Sequence, residues 1–61
     1  MDKKQELIEF LGDLETAKIN YRAWKADKPS EKRRERITYW RKDMDYCQSE
    51  IDKIIAEIPR N

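Results

Sequence analysis

The chain has 61 residues, of which 38% are hydrophobic and 44% are charged, and its formal net charge at pH 7 is +1. With no histidine and one cysteine, it lacks the ligands of an ordinary zinc site and the second thiol of an internal disulfide. No apolar run approaches the roughly 18 residues of a membrane-spanning helix, so we expect no membrane partner. The composition, with one glycine and two prolines, favours long helices or a coiled coil.

The N-terminus gives no sign of export. Residues 1–6 are mostly charged and lack the apolar stretch of a secretory signal peptide. A single cysteine is also typical of a reducing compartment, so we expect a cytoplasmic protein. A Met-initiated chain of this size has the form of a stand-alone small protein, of the kind that phages and mobile elements encode. We treat residues 1–61 as one domain.

The first segment, about residues 3–26, has the spacing of an amphipathic helix. Its apolar residues are separated alternately by three and four positions, which is the heptad pattern of a coiled-coil seam. These seam residues are Leu7, Phe10, Leu14, Ala17, Tyr21 and Trp24.

A turn is expected at residues 27–30. Pro29 disfavours a helical conformation at Lys28, and Ser30 is a good N-cap for a second helix over about residues 30–58. Pro59 is expected to end that helix. The heptad spacing recurs in this second segment, and its seam residues are Ile37, Trp40, Met44, Cys47, Ile51, Ile54 and Ile58.

The two seams match when the chain is folded back at the turn. Pairing positions whose numbers sum to 61 places Leu14 opposite Cys47 and Phe10 opposite Ile51, so that each a position meets a d position. This is the pairing that antiparallel helices need. The sequence therefore predicts an all-α fold, an antiparallel two-helix hairpin with a coiled-coil-like seam.

A second apolar stripe lies beside the seam. Leu11 and Ile55 occupy flanking e positions, Ile8 and Ile19 lie further round the first helix, and Gly12 would let another backbone approach closely. Scattered surface aliphatics are normal in proteins and are the plain alternative. We instead expect this apolar stripe to be a self-association face through which two hairpins form a homodimer, a four-helix bundle.

Charge is segregated along the hairpin. Residues 22–42 hold nine Lys or Arg and three acids, a net +6, whereas residues 1–21 carry −2 and residues 43–61 carry −3. The turn end, called the basic tip below, therefore opposes an acidic end that carries both termini. Cations at the start of the second helix oppose its dipole, which favours a binding role. A solvated tip, partly relieved by Glu31 and Glu35, is the alternative.

Like charges also adjoin along the sides of the hairpin. The g positions face each other across an antiparallel pair, and most of them are acidic. These acids are Glu6, Asp13, Asp43, Glu50 and Glu57. We expect each exposed like-charge contact to cost about a few tenths of a kcal/mol.

No catalytic, metal or cofactor site is predicted. Cys47 falls at a d position and is interpreted as a small buried apolar residue, since no histidine is present to activate it. Carboxylates two positions apart, such as Asp43 and Asp45, face different sides of a helix and do not converge for acid–base chemistry. The single glycine cannot form a phosphate-binding loop. We therefore expect a protein that is not an enzyme.

The aromatic residues near the turn divide into two groups. Tyr21, Trp24 and Trp40 could stack on nucleic-acid bases, but their seam positions favour core packing. Tyr39 and Tyr46 lie at c positions, two turns apart on the outer side of the second helix. They are candidate anchors for a protein contact, and packing along neighbouring side-chain stems is the alternative.

These patterns leave three functions open. The first is a non-enzymatic interaction module, an adaptor or inhibitor that docks on an acidic protein surface through the basic tip. Its partner-binding residues would be Lys32, Arg33, Arg34, Arg36, Tyr39, Arg41 and Lys42. The second is nucleic-acid binding by the same tip, which the near-neutral net charge and the acidic opposite end weaken. The third is a structural module that assembles only with copies of itself.

Overall fold

The computed structural model describes residues 2–58, which form two helices packed against each other. Helix α1 spans Lys3–Lys25 and helix α2 spans Glu31–Glu57. The prediction of an all-helical hairpin is therefore confirmed, and no strand occurs within the described range. Pro59, the expected end of the second helix, lies outside the described residues, and Ile58 already has an extended backbone.

Both helices begin at a side-chain cap. The Asp2 carboxylate accepts a hydrogen bond from the backbone N–H of Lys4 at 3.4 Å, and the Ser30 hydroxyl accepts one from the N–H of Arg33 at 3.0 Å. Such caps satisfy N–H groups that have no partner in the first turn of a helix. Each helix also has an acid in that turn, Glu6 in α1 and Glu31 in α2, where it favours the dipole.

The core follows the predicted seam. All thirteen seam residues are buried or half-buried, and the fully buried ones are Leu14, Ala17, Cys47, Ile51 and Ile54. Leu14, Cys47 and Ile51 form one cluster, against which Leu7, Phe10 and Met44 pack. Leu14 therefore meets Cys47 across the hairpin, as the pairing of the two seams requires. The three large aromatics near the turn are only half-buried, because two helices alone leave one side of each ring open.

Ion pairs relieve the acidic edge at the end that carries the termini. The ammonium of Lys3 lies 2.7 Å from a carboxylate oxygen of Glu57, across the hairpin, and 3.6 Å from one of Glu6. Within α2, the ammonium of Lys53 lies 3.4 Å from a carboxylate oxygen of Glu50. The expected repulsion between facing g positions is thus partly offset by lysines from neighbouring positions. Glu57 and Glu6 together raise the pKa of Lys3.

The hairpin is a rod of 48 × 19 × 14 Å with a radius of gyration of 14.3 Å. A compact domain of this length would have a radius of gyration of about 10.5 Å. The basic tip and the acidic end therefore lie far apart, at opposite ends of the long axis. Within residues 2–58, neither helix combines the length and the apolar character needed to cross a membrane.

Candidate functional site

The basic tip is built around a turn that a side chain from α2 closes. The guanidinium of Arg33 donates from Nε to the carbonyl of Trp24 and from Nη2 to the carbonyl of Lys25, both at 3.1 Å. The last carbonyls of a helix have no partner within it, and a glycine in the left-handed conformation often completes such an end. Here no described residue has a positive φ, and the guanidinium of Arg33 supplies hydrogen-bond donors to these carbonyls instead.

This contact changes the interpretation of Arg33. Its position at the start of α2 suggests a cation placed against the dipole of its own helix for binding. In the structure the same cation lies at the C-terminal end of α1, where the dipole favours positive charge and the carbonyls accept its hydrogen bonds. The premise that Arg33 lacks a structural explanation is therefore wrong, and its side chain is engaged within the hairpin.

Arg41 is also engaged within the hairpin. Its guanidinium donates to the hydroxyl of Tyr21 on α1 at 3.3 Å, and the ammonium of Lys25 lies 5.4 Å from the centre of the same ring. The hydrogen bond from Arg41, aided by the charge of Lys25, lowers the pKa of Tyr21. Arg41 thus links the two helices one turn beyond the core and is less available to a partner than its exposure suggests.

Four predicted tip cations remain unengaged. The exposed side chains of Lys32, Arg34, Arg36 and Lys42 make no hydrogen bond or ion pair to any residue of the described range. The ion pairs that the structure does show lie at the opposite, acidic end of the hairpin. The tip therefore keeps most of its positive charge uncompensated, which is the condition for attracting an acidic partner.

Tyr39 lies among these cations as a fixed aromatic anchor. Its side chain is 56% exposed, yet its ring packs edge-to-face on Trp40, with ring centres 4.9 Å apart and an interplanar angle of 86°. An open depression beside it is lined by Glu31, Lys32, Glu35, Arg36 and Tyr39. The contact between Tyr39 and Trp40 joins neighbouring residues, so helical spacing gave no signal of it.

The other aromatic residues are committed to packing. Tyr46 is 58% exposed but meets Phe10 of α1 at a ring-centre distance of 6.1 Å and an angle of 65°, so it covers the edge of the core. Tyr21, Trp24 and Trp40 are half-buried along the seam. Packing within the hairpin therefore accounts for these ring positions without base stacking.

The apolar stripe lies in the open. Its four aliphatic side chains are 44–61% exposed, and nothing lies within 4 Å of where a Cβ on Gly12 would be. The stripe consists of Ile8, Leu11, Gly12, Ile19 and Ile55. Exposed aliphatics at neighbouring helical positions form a surface that favours a further contact.

Cys47 shows the inert behaviour of a buried thiol. It is 2% exposed, and burial, together with the negative charges of Asp43 and Asp13, raises the pKa of its thiol. No group of three or more potential metal-ligating side chains comes together in the described part of the chain. Comparison with protein-family models, with curated proteins and with solved structures gives no match. Functional inference therefore rests on the geometry of the hairpin.

Proposed function

We propose that the protein is a non-enzymatic interaction module, an adaptor or inhibitor in the cytoplasm, that docks on an acidic surface of another protein through its basic tip. The docking surface is the exposed face of the first half of α2. It carries Lys32, Arg36, Tyr39 and Lys42, with Arg34 on a different side of the helix, while Arg33 and Arg41 hold the surface in place from within the hairpin.

One observation carries this proposal: an exposed tyrosine, fixed by its neighbour, lies between cations that have no partner in the described hairpin. Lys32, Arg36 and Tyr39 are spaced by four and three residues, so they share one face of α2. Tyrosine and arginine are enriched among the residues that dominate protein interfaces. Since Trp40 already restrains the Tyr39 ring, less side-chain entropy is lost on binding.

The partner chemistry follows from the charge. Carboxylates of a partner can pair with the Arg36 guanidinium in a two-pronged arrangement and with the Lys32 ammonium at closer range. The tip would also steer an acidic partner toward itself during diffusion, because its field is not cancelled locally. The acidic end of the rod would repel the same partner, so docking is directed to the turn.

A charge-reversal pair tests the proposal. Lys32→Glu/Arg36→Glu removes the cations of the docking face without touching Arg33, and a pull-down from host lysate compares it with the wild type. Lys4→Glu/Lys53→Glu is the matched control, because it changes the net charge equally at the opposite end. We expect a stoichiometric partner to be kept by wild type and control and lost by the tip variant. Equal capture by all three proteins would contradict the proposal.

The same experiment separates protein from nucleic acid. A protein partner should survive nuclease treatment and lose affinity only moderately as salt is raised. A nuclease-sensitive association with a steep fall in affinity between 50 and 200 mM salt, a loss of roughly 10³-fold or more, would instead indicate phosphate binding. That result would replace the docking proposal with the nucleic-acid alternative.

We propose in addition that the hairpin is a homodimer, in which a second copy covers the apolar stripe and completes a four-helix bundle. The support is the exposure of Ile8, Leu11, Ile19 and Ile55 beside a core that has only five buried side chains within residues 2–58. Sedimentation equilibrium at tens of micromolar should show a dimer. A monomer at that concentration would overturn this part of the proposal.

A further inference from the structure

The charge of the hairpin is polarised along a 48 Å rod. Residues 22–42 at the turn carry a net +6, while residues 1–21 and 43–61 carry −2 and −3. Helices in a bundle pack at about 8–10 Å between axes, and the Debye length at physiological salt is about 8 Å. Two hairpins that pack side by side therefore feel each other's charge, and their relative direction has an electrostatic preference.

Electrostatics favour an antiparallel arrangement of the two hairpins. In a parallel dimer the two basic tips would lie side by side, and so would the two acidic ends. In an antiparallel dimer the cations nearer the turn, such as Lys18 and Arg41, approach the acidic half of the other copy. On the side of the hairpin that carries Leu11 and Ile55, that half presents Asp45 and Asp52. Two of the three lysines at the acidic end, Lys3 and Lys53, are already paired with Glu57 and Glu50, so they add little repulsion, whereas Lys4 is in none of these pairs.

The layout of the apolar stripe agrees with this direction. Ile8, Leu11 and Ile55 lie in the half of the rod that carries the termini, whereas Ile19 lies alone, nearer the turn. Turning the second copy end for end brings its Ile19 level with Ile8 and Ile55 of the first. In a parallel dimer Ile19 could meet only its own counterpart. The antiparallel match therefore buries the stripe along its whole length.

The surface area is compatible with such a partner. The hairpin exposes 5066 Å², whereas a compact monomer of its 7.5 kDa mass would expose about 4,250 Å². A stable interface buries about 800 Å² on each partner. The hairpin thus exposes more area than a compact monomer by about the amount that a second copy would bury.

We propose that two copies dock antiparallel through the apolar stripe, so that the dimer carries one basic tip at each end and bridges two acidic partners. Because the stripe is centred nearer the termini than the turn, each tip projects past the other copy by roughly five residues, about 8 Å. The docking face on α2 is left uncovered at both ends. The bridging role rests on the proposed docking function, whereas the orientation of the two copies does not.

A distance measurement between the two tips tests the orientation. A spin label is attached at Lys28→Cys in a Cys47→Ala background. Lys28 is an exposed turn position whose side chain is in no hydrogen bond or ion pair with another described residue. We expect a label-to-label distance of about 45 Å for the antiparallel dimer, from 1.5 Å per helical residue. Labels in a parallel dimer would be about 10–20 Å apart, as neighbouring helices are.

The controls keep every outcome informative. If circular dichroism shows that Cys47→Ala unfolds, the label is attached in the native background, where the Cys47 thiol is only 2% exposed. A short distance, or no dipolar coupling with a monomer in sedimentation, overturns the antiparallel dimer. Because no partner is present in the measurement, these failures are distinct from a failure of tip docking, which the charge-reversal pair reports.

Discussion

Arg33 is the residue on which the turn depends. Its backbone N–H is held by the Ser30 cap of α2, while its guanidinium holds the last carbonyls of α1. One residue therefore fixes the end of one helix to the start of the next. The sequence could show Ser30 as a cap, because that signal is local. It could not show the Arg33 contact, since this depends on how the turn brings Trp24 and Lys25 within reach of the guanidinium.

Removing the Arg33 side chain should destabilise the hairpin. Arg33→Leu removes the guanidinium donors of the Trp24 and Lys25 carbonyls, and Trp24 keeps only the backbone N–H of Asp27. We expect a loss of about 1–2 kcal/mol in the free energy of unfolding. Chemical denaturation followed by circular dichroism measures this loss. The matched control is Arg34→Leu, whose side chain makes no such bond and whose effect should stay within about 0.5 kcal/mol. Equal effects of the two variants would refute the structural role.

Cys47 should make the stability of the hairpin fall at alkaline pH. Burial first, and then the charges of Asp43 and Asp13, raise the pKa of the thiol in the folded state. The unfolded chain therefore loses its proton first as pH rises above about 8.5, so stability declines from there until the folded-state pKa is reached. The slope from this group cannot exceed about 1.4 kcal/mol per pH unit.

The measurement is a difference between two proteins. Tyr21 and Lys3 also have shifted pKa values, so the pH dependence of the wild type alone would mix their effects. Subtracting the profile of Cys47→Ala isolates the thiol, and the wild type should show the steeper alkaline decline. Superimposable slopes would show that the thiol titrates alike in both states.

At the scale of the elements, the helices and their register were predictable from spacing. Thirteen apolar positions in two heptad series required that Leu14 meet Cys47, and the structure places both in one cluster. The exposed fraction of each side chain was not predictable. Spacing shows which side of a helix is apolar, but it does not show how many other side chains cover that side. Trp24 and Trp40 occupy the same seam as Leu14 yet stay half-buried, because only one helix lies opposite each ring.

Ala17 is the most completely buried of the core residues. It is 0% exposed, so a carboxylate there would be desolvated without a partner. We expect Ala17→Glu to destabilise the hairpin by at least about 3 kcal/mol, enough to unfold a small helical pair. Ala23→Glu, at an exposed position of the same helix, should have little effect on the circular dichroism signal. Retained helicity in Ala17→Glu would mean that the helices do not pack there.

At the scale of the whole molecule, the rod has two surfaces without an intramolecular partner among the described residues, the basic tip and the apolar stripe. The sequence indicated both, because charge segregation and heptad position are read directly from the residues. It gave no sign that Arg33 and Arg41 form hydrogen bonds across the hairpin. It could not show that Tyr39 is restrained by Trp40, because neighbouring residues of a helix usually face apart.

Charging the stripe should separate the two copies without unfolding either. Leu11→Glu/Ile55→Glu places carboxylates at positions that are 48% and 44% exposed, so the hairpin itself should tolerate them. In sedimentation equilibrium we expect a shift from dimer to monomer with unchanged helicity. Ser49→Glu, at an exposed position about 120° around α2 from Ile55, should leave the dimer intact. A dimer that survives the double substitution must use another face.

The hydrogen bonds that Arg33 donates to the end of α1 also affect whether two chains can exchange helices. A long α1 and a long α2 with matched seams could equally join across two molecules, if the turn straightened and each α2 paired with a neighbour's α1. Straightening would carry the guanidinium away from the carbonyls of Trp24 and Lys25 in its own chain. The arginine thus keeps each chain closed on itself, and its loss would open a route to swapped pairs and open-ended fibres.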